Sequence, residues 1–567
     1  MHLFVSFLFF LASAAHLDQI TLATPSSSIG ACKSFPGDVS FSSDEEWAAL
    51  NATVGGRLVA TVPLGSPCHD PHFNAELCAT LQSEWLSPPV HYNSSSSVMA
   101  PLFANRSCDP FQPRNSSCTL GNYVVYAVNA SGADDIAAAV RFSDAKNVRL
   151  VIRNTGHDYL GRSTGAGALA VWTHYLKDIE VTDWADASYT GKALKVGAGV
   201  QGFEAIEAAA AAGLVVVTGE CPTVGIAGGY TQGGGHSALS TVFGLSADNT
   251  LEFEVVLADG RLVTAARSSE YADLYWALSG GGAGNYGVVV SMTVRAHPDA
   301  PVSGAMFSVD APLDRYPAIV DAFHAALPAI VDSGIMIIYF FGEGLFSVPA
   351  MTAYNRTQTE AQAALAPFVQ SLAALNVTLQ PTFTSFASYR DHFGHYWGPL
   401  PAGNIQVGVD LFGGRLIPRD VLPRFGPTAR TLIDLGITTI GVGLNVSRFG
   451  GGGANAVLPQ WRDSLVSASL VLPYSFSAPF AEMRAAQETI TRIVQPVVEA
   501  ATPGAGAYMN EADFQQPRFE DVFFGANYGR LLGIKRKYDP EGLFYATAAV
   551  GSEAWTVTED GRLCATQ

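Results

Sequence analysis

Hydrophobic and polar positions change their spacing along the chain, and those changes divide it. From residue 24 to 118 no period persists: Ser, Pro, Asn and Cys interrupt every apolar run, which reads as an irregular lead-in with a few short helices. Regular elements begin at Asn122. The apolar run over 123–128 predicts a strand, and Ser131 with Asp134 three residues on predicts a helix capped by that serine. A helix over 134–145 and a strand over 148–152 follow, completing a β-α-β unit. The same order recurs over 193–200, 203–212 and 214–217, with Gly213 placed to end the helix.

Strands dominate from 250 to 298, most clearly 251–257 and 288–295, until His297-Pro-Asp-Ala-Pro301 breaks the pattern and predicts a domain boundary. Beyond it, helices over 313–325, 358–374 and 479–500 mix with strands over 335–341 and 404–412. In the last of these, alternation puts Asn404, Gln406, Gly408 and Asp410 on a polar face and Ile405, Val407, Val409 and Leu411 on the other.

The balance of residues narrows the class. In 567 residues, 48% are hydrophobic and 14% charged, which excludes a disordered chain. A net charge of −18 repels nucleic acid and anionic membranes. Residues 1–15 are apolar, too short to span a bilayer and end in small residues, which predicts a secretory signal peptide within 1–23 although no Lys or Arg opens it. No later run reaches the ~20 apolar residues of a membrane helix. Acceptor motifs for N-glycans stand at Asn51, Asn93, Asn105, Asn115, Asn129, Asn355, Asn376 and Asn445, and together with a signal peptide they predict a secreted, extracellular glycoprotein.

Seven cysteines in an oxidising compartment leave one unpaired. Cys68 with Cys78 and Cys108 with Cys118 are close enough to staple the lead-in, and Cys32 with Cys564 would tie the chain ends together, though connectivity stays open at this level. Under that pairing Cys221 is left over.

Two stretches carry chemistry. Arg153-Asn-Thr-Gly-His-Asp158 is a turn directly after a strand, where Gly156 lets backbone approach a ligand; by itself a histidine there is more often structural. Gly219-Glu-Cys-Pro-Thr-Val-Gly-Ile-Ala-Gly-Gly-Tyr-Thr-Gln-Gly-Gly-Gly-His236 holds seven glycines in eighteen residues, which suits backbone wrapped around a large flat ligand bearing a pyrophosphate. It is neither a Rossmann fingerprint nor a Walker loop. No metal site is read from the sequence.

Together with Gly280-Gly-Gly-Ala-Gly-Asn-Tyr-Gly-Val-Val289 and a C-terminal run of Tyr508-Met-Asn-Glu-Ala-Asp513, Phe524-Gly-Ala-Asn-Tyr528 and Ile534-Lys-Arg-Lys-Tyr-Asp-Pro540, these motifs resemble the berberine-bridge-enzyme-like oxidases of the vanillyl-alcohol-oxidase superfamily. The resemblance implies an α+β fold, with a PCMH-type FAD-binding domain of two α/β subdomains over 119–300. It further implies a substrate domain over 301–505 whose antiparallel sheet is covered by helices, and a segment over 506–567 returning to the FAD domain. It also implies FAD attached covalently through His157 and Cys221, which would account for the odd thiol. The cofactor-binding positions it marks are Arg153, Asn154, Thr155, Gly156, Asp158, Ser163, Gly219, Thr223, Gly225, Gly228, Gly229, Gly233, Gly234, Gly235, Gly287, Val288, Asn527 and Tyr528.

For catalysis the resemblance points to Asp410, just before Gly413-Gly414, as base, with Gln406, Tyr508 and Asn510 toward substrate and Val224 controlling oxygen access. Where sugar- and monolignol-oxidising members tend to carry tyrosine after the asparagine, this chain has Glu511, which argues against carbohydrate. The implied activity is oxidation of an alcohol by hydride transfer to flavin N5, with reduction of dioxygen to hydrogen peroxide. The alternatives are a flavin dehydrogenase using a quinone acceptor, an oxidative cyclase of a specialised metabolite, and a catalytically idle flavin-binding secreted protein.

Overall fold

The computed structural model describes residues 29–566, so the expected signal peptide lies outside the described residues. The lead-in holds short helices at Asp44–Thr53, Ala75–Glu84, Pro88–Tyr92 and Pro101–Ala104. Disulfides Cys68–Cys78 and Cys108–Cys118 staple it. Strand Ile29–Cys32 pairs with Leu563–Thr566, and the Cys32–Cys564 bridge closes the two chain ends at that pairing.

The first β-α-β unit forms as expected, with strand Tyr126–Asn129, helix Ala133–Ala145 and strand Leu150–Arg153. The two strands are not neighbours, however, because the parallel strand Leu169–Trp172 lies between them. Ile136 and Val140 on the helix bury against Leu150, Leu169 and Val171, the i, i+4 face of an amphipathic helix meeting one face of the sheet. The cap differs from the sequence expectation. Gly132 is the cap residue, and the Ser131 hydroxyl donates instead to the Asp135 carboxylate at 2.7 Å, which also accepts from the Arg57 guanidinium.

The second expected unit is not parallel. Strand Thr190–Gly197 sits in a five-stranded antiparallel sheet ordered 262–266, 250–256, 288–295, 190–197, 179–185. Helix Gly202–Ala211 ends at Gly213, whose φ of +69° is the left-handed conformation that favours glycine. The strand after it is only Leu214–Val215, paired antiparallel with His297–Pro298.

Seven antiparallel strands, ordered 382–386, 302–308, 345–354, 336–342, 438–443, 464–473 and 410–418, form the third large sheet. Alternation sorts its side chains. Ile337, Tyr339 and Phe346 pack under helices Tyr316–Asp332 and Gln358–Ala374, whereas Met336, Ile338 and Val442 face Val215, Val217 and Tyr508. The mixed α+β architecture, with one antiparallel sheet covered by helices on one face, agrees with the sequence reading. The helix expected over 313–325 continues to Asp332 past Pro328, because Leu327, Ile330 and Val331 are buried on both sides of the proline. The strand expected over 404–412 begins only at Asp410; residues 404–409 form an irregular segment in which Gly408 has φ +74°. Among the described residues no helix is long and apolar enough to cross a membrane.

Candidate active site

The turn after strand Leu150–Arg153, the glycine-rich loop 219–236, the start of strand Val288–Arg295 and the segments 508–511 and 544–546 enclose one cavity, about 1500 Å³ including its solvent-open mouth. Asn154 anchors its floor. Its Nδ2 donates to the Ala198 carbonyl, while its Oδ1 is buried without a partner. A Cβ at Gly225 would stand 2.7 Å from Asn154 Cγ, and one at Gly233 2.5 Å from Asn510 Nδ2, so two of the glycines exist to let side chains approach backbone. Gly229 is different, since a Cβ there would have no protein atom within 4 Å and would project into open space.

His157 and Cys221 lie on one wall and share a neighbour: the Thr223 hydroxyl is 2.8 Å from His157 Nε2 and 3.4 Å from Cys221 Sγ. Burial, reinforced by His91 and the Arg153 charge, holds the His157 pKa down to about 3, so its imidazole is neutral. Burial pushes the Cys221 thiol up, opposed by its hydrogen bond with Thr223. Thr223 itself is fully buried behind the wall, its carbonyl accepting from Gln201 Nε2 at 2.6 Å.

Of the residues the sequence marked for cofactor, Asn154, Thr155, Gly156, Asp158, Ser163, Gly219, Gly225, Gly228, Gly229 and Gly287 line the cavity with His157 and Cys221. Others do not. Arg153 turns away and donates from Nη2 to the His91 carbonyl at 3.0 Å. Val288 points into the core under helix Ala133–Ala145 while its neighbour Val289 lines the cavity, as strand alternation requires. Gly233, Gly234 and Gly235 bend the loop from behind, Gly234 and Gly235 with φ of +121° and +75°. Asn527 Nδ2 donates to the Ala456 and Val457 carbonyls, and the Tyr528 hydroxyl donates to Glu553, so both serve the C-terminal helix rather than the wall.

Toward substrate, Val224, Tyr508 and Asn510 reach the cavity, and Asn510 Nδ2 donates to the Tyr508 hydroxyl at 2.9 Å and the Gly229 carbonyl at 2.8 Å. Gln406 is exposed; because 404–409 is not a strand, Ile405 and Val407 supply the wall in its place. Asp410 stands off the wall, two residues from Phe412 on the same strand face. The Phe412 ring stacks on the wall residue Tyr159 at 3.9 Å. Desolvation lifts the Asp410 carboxyl to about 6.

Several wall residues, or their grouping, escaped the sequence reading, which notes Glu511 only as a departure bearing on substrate. Arg162, held by the Thr547 and Ala548 carbonyls, brings a half-buried cation to the end of the cavity formed by Phe544, Tyr545 and Ala546. Glu220, His236 and Glu511 stand together at the other end. Glu220 and His236 were visible as charged residues inside a glycine run, but nothing local pairs them with position 511.

These features fit a flavin dinucleotide. The glycine face at 229 leaves room for a flat ring, the buried Asn154 Oδ1 awaits a donor, and the Arg162 guanidinium suits a phosphate. The fold and cleft are those of a flavin-dependent oxidoreductase. A family model described as "FAD binding domain" matches residues 125–266, and one described as "Berberine and berberine like" matches 507–551. The FAD-linked oxidoreductase ZEB1 of Gibberella zeae is 52% identical over 549 residues, covering 96% of each chain. The bifunctional decalin synthase calF of Penicillium decumbens is 40% identical, covering 94% of this chain and 95% of its own. The crystal structure of the VAO-type flavoprotein MtVAO615 from Myceliophthora thermophila superposes with a TM-score of 0.89 at 39% identity, covering 94% of this chain and all of that one. The chain therefore belongs to the berberine-like, VAO-type family of FAD-linked oxidoreductases.

Proposed function

We propose that this protein is a secreted oxidase of an alcohol carbon, with FAD joined covalently to His157 and Cys221 and dioxygen as the electron acceptor. The observation that carries the reading is the Thr223 hydroxyl touching both His157 Nε2 and Cys221 Sγ, which sets two nucleophiles side by side on one wall. A neutral imidazole is the nucleophilic form, and hydrogen bonding to Thr223 favours the thiolate of an otherwise raised cysteine. When bound, FAD takes the carbon-bound hydrogen with its electron pair from the substrate and returns the electrons to dioxygen.

The protein supplies the rest. Asn154, the 225–229 backbone and Arg162 would hold the cofactor, while Tyr508 and Asn510 present polar groups to the substrate hydroxyl. Tyr159, Ile405 and Val407 give the substrate end an apolar wall, so an alcohol on an aromatic or aliphatic body suits the cavity better than a sugar, which would need a polar partner for each hydroxyl. Val224, small and on the wall, leaves space for dioxygen and favours an oxidase over a dehydrogenase. Three disulfides suit an oxidising compartment, and five glycan acceptors, Asn93, Asn105, Asn115, Asn355 and Asn376, are exposed, whereas Asn51, Asn129 and Asn445 are half-buried.

Acid precipitation tests the tethers: flavin should pellet with the protein, and peptide mapping should find it joining the peptides of His157 and Cys221. Flavin recovered entirely in the supernatant refutes the attachment. A second reading, oxidative ring closure of a specialised metabolite, draws support from the similarity to a decalin synthase; it requires a cyclised product rather than an aldehyde or ketone.

A further inference from the structure

Glu220, His236 and Glu511 come from three places in the chain and meet on the cavity wall. His236 Nε2 is 2.8 Å from Glu511 Oε1, a hydrogen bond, and its Nδ1 is 3.1 Å from Glu220 Oε2, an ion pair not aligned as a hydrogen bond. The ring is fixed from outside the cluster. The Tyr230 hydroxyl donates to the His236 carbonyl at 2.8 Å, and the Tyr508 ring lies edge-on at 5.4 Å. Burial by itself lowers the His236 pKa, but Glu511 and Glu220 outweigh it and hold the imidazole well above its ordinary value. Two carboxylates thus bracket one imidazolium, leaving the cluster with an excess negative charge.

That arrangement is costly as architecture. A buried ion pair seldom repays its desolvation, and here a second carboxylate is added, with Glu220 Oε1 buried and unpartnered. The surroundings do not absorb the charge: the Tyr159, Tyr230, Tyr389 and Tyr508 phenols around it are all pushed up by burial and stay neutral. Glu511 is the most accessible member, its side chain 25% exposed against 8% for the other two. Its Oε2 has only the Ser469 hydroxyl at 3.4 Å and retains lone pairs for another donor.

We propose that Glu511 is the carboxylate that receives the substrate's hydroxyl proton, with His236 and Glu220 as positioning residues. This rests on the alcohol-oxidase reading above. In the step the O–H bond breaks and its proton passes to Glu511; the C–H hydrogen leaves with its electron pair to the oxidised flavin; and the carbon–oxygen bond becomes a carbonyl. The cluster ends neutral, with Glu511 protonated, His236 cationic and Glu220 anionic. His236 holds Glu511 through Oε1, which leaves Oε2 turned to its single long contact with Ser469 and open to a substrate hydroxyl. Asp410, the carboxylate expected from the sequence, does not line the cavity itself, although its charge reaches the wall residue Tyr159, so it is the rival that the test must separate from Glu511.

The test uses the flavin-loaded, full-length protein and anaerobic bleaching by benzylic and secondary aliphatic alcohols. Glu511→Gln should slow bleaching about 10²–10⁴-fold, the usual share of a general base, while Glu511→Asp restores part of it. Asp410→Asn should slow it less than Glu511→Gln. A separate readout is thermal stability against pH. A raised His236 pKa stabilises the fold fully below the unfolded value, and that stability is lost as pH rises through the folded pKa; Glu511→Gln and Glu220→Gln should move the loss to lower pH. If the wild type bleaches but Glu511→Gln bleaches at its rate, or if Asp410→Asn is the slower variant, Glu511 is not the base. A wild type that no alcohol bleaches overturns the alcohol-oxidase reading itself, and a pH–stability curve unmoved by both glutamine variants overturns the positioning role.

Discussion

Gly225 and Gly229 lie four residues apart in one loop, and the structure assigns them opposite physics. At Gly225, φ is −72°, so alanine strains no backbone. The added Cβ would stand 2.7 Å from Asn154 Cγ, and Asn154 is pinned by its donation to the Ala198 carbonyl. Moving it costs that buried hydrogen bond, about 1–3 kcal/mol, and crowds the wall by about 1–3 kcal/mol. Gly225→Ala should therefore lose about 2–6 kcal/mol in total. At Gly229 the Cβ meets nothing within 4 Å, and removing glycine's extra freedom in the unfolded chain should add about 0.4–1 kcal/mol. The comparison is best made in a His157→Ala/Cys221→Ala background from which flavin has been dialysed, by urea unfolding followed through tryptophan fluorescence. In the natural background both variants should contain less flavin, Gly225→Ala because Asn154 is displaced and Gly229→Ala because its methyl occupies the ring's space. A flavin-free Gly225→Ala as stable as its parent, or a Gly229→Ala that is destabilised without flavin or keeps full flavin content, refutes the cradle described here.

Two further outcomes follow from the same geometry. Val224→Leu should leave anaerobic bleaching by alcohol nearly unchanged and slow reoxidation in air by orders of magnitude, with about 1–3 kcal/mol lost to crowding; wild-type reoxidation in a folded, flavin-loaded variant refutes the oxygen route. Asp410 has a folded pKa raised to about 6, so the stability it contributes is complete below the unfolded value and is lost as pH rises through 6. Asp410→Asn should match the wild type near pH 3.5 and exceed it above pH 7 by roughly 1–2 kcal/mol, allowing for partial solvent access; a difference that does not change with pH contradicts the desolvation.

Local pattern determined much of this protein. The strand at 288–295 and the helix at 358–374 appear with the boundaries their periodicity predicts, because each buries a full face at its own repeat. Gly213 ends its helix because a left-handed residue there favours glycine. The turn at 154–158 and the glycine run at 219–236 announced a flat, pyrophosphate-bearing ligand, since close backbone approach demands glycine wherever the chain runs.

Pairing and direction were decided only by tertiary structure. Periodicity cannot say that strand 169–172 separates 126–129 from 150–153, or that the helix at Tyr316 runs through Pro328 because packing on both sides outweighs the lost hydrogen bond. Nor can it say that 404–409 leaves the sheet and sends Ile405 and Val407, rather than Gln406, to the wall. The charged cluster is the clearest case. His236 and Glu511 are 275 positions apart, and although Glu511 stands out beside the substrate motif, nothing in the sequence joins it to His236. Only the folding of the C-terminal segment across the glycine loop buries them together, and burial turns the two side chains into a strongly coupled pair, because charges interact far more strongly once water no longer screens them.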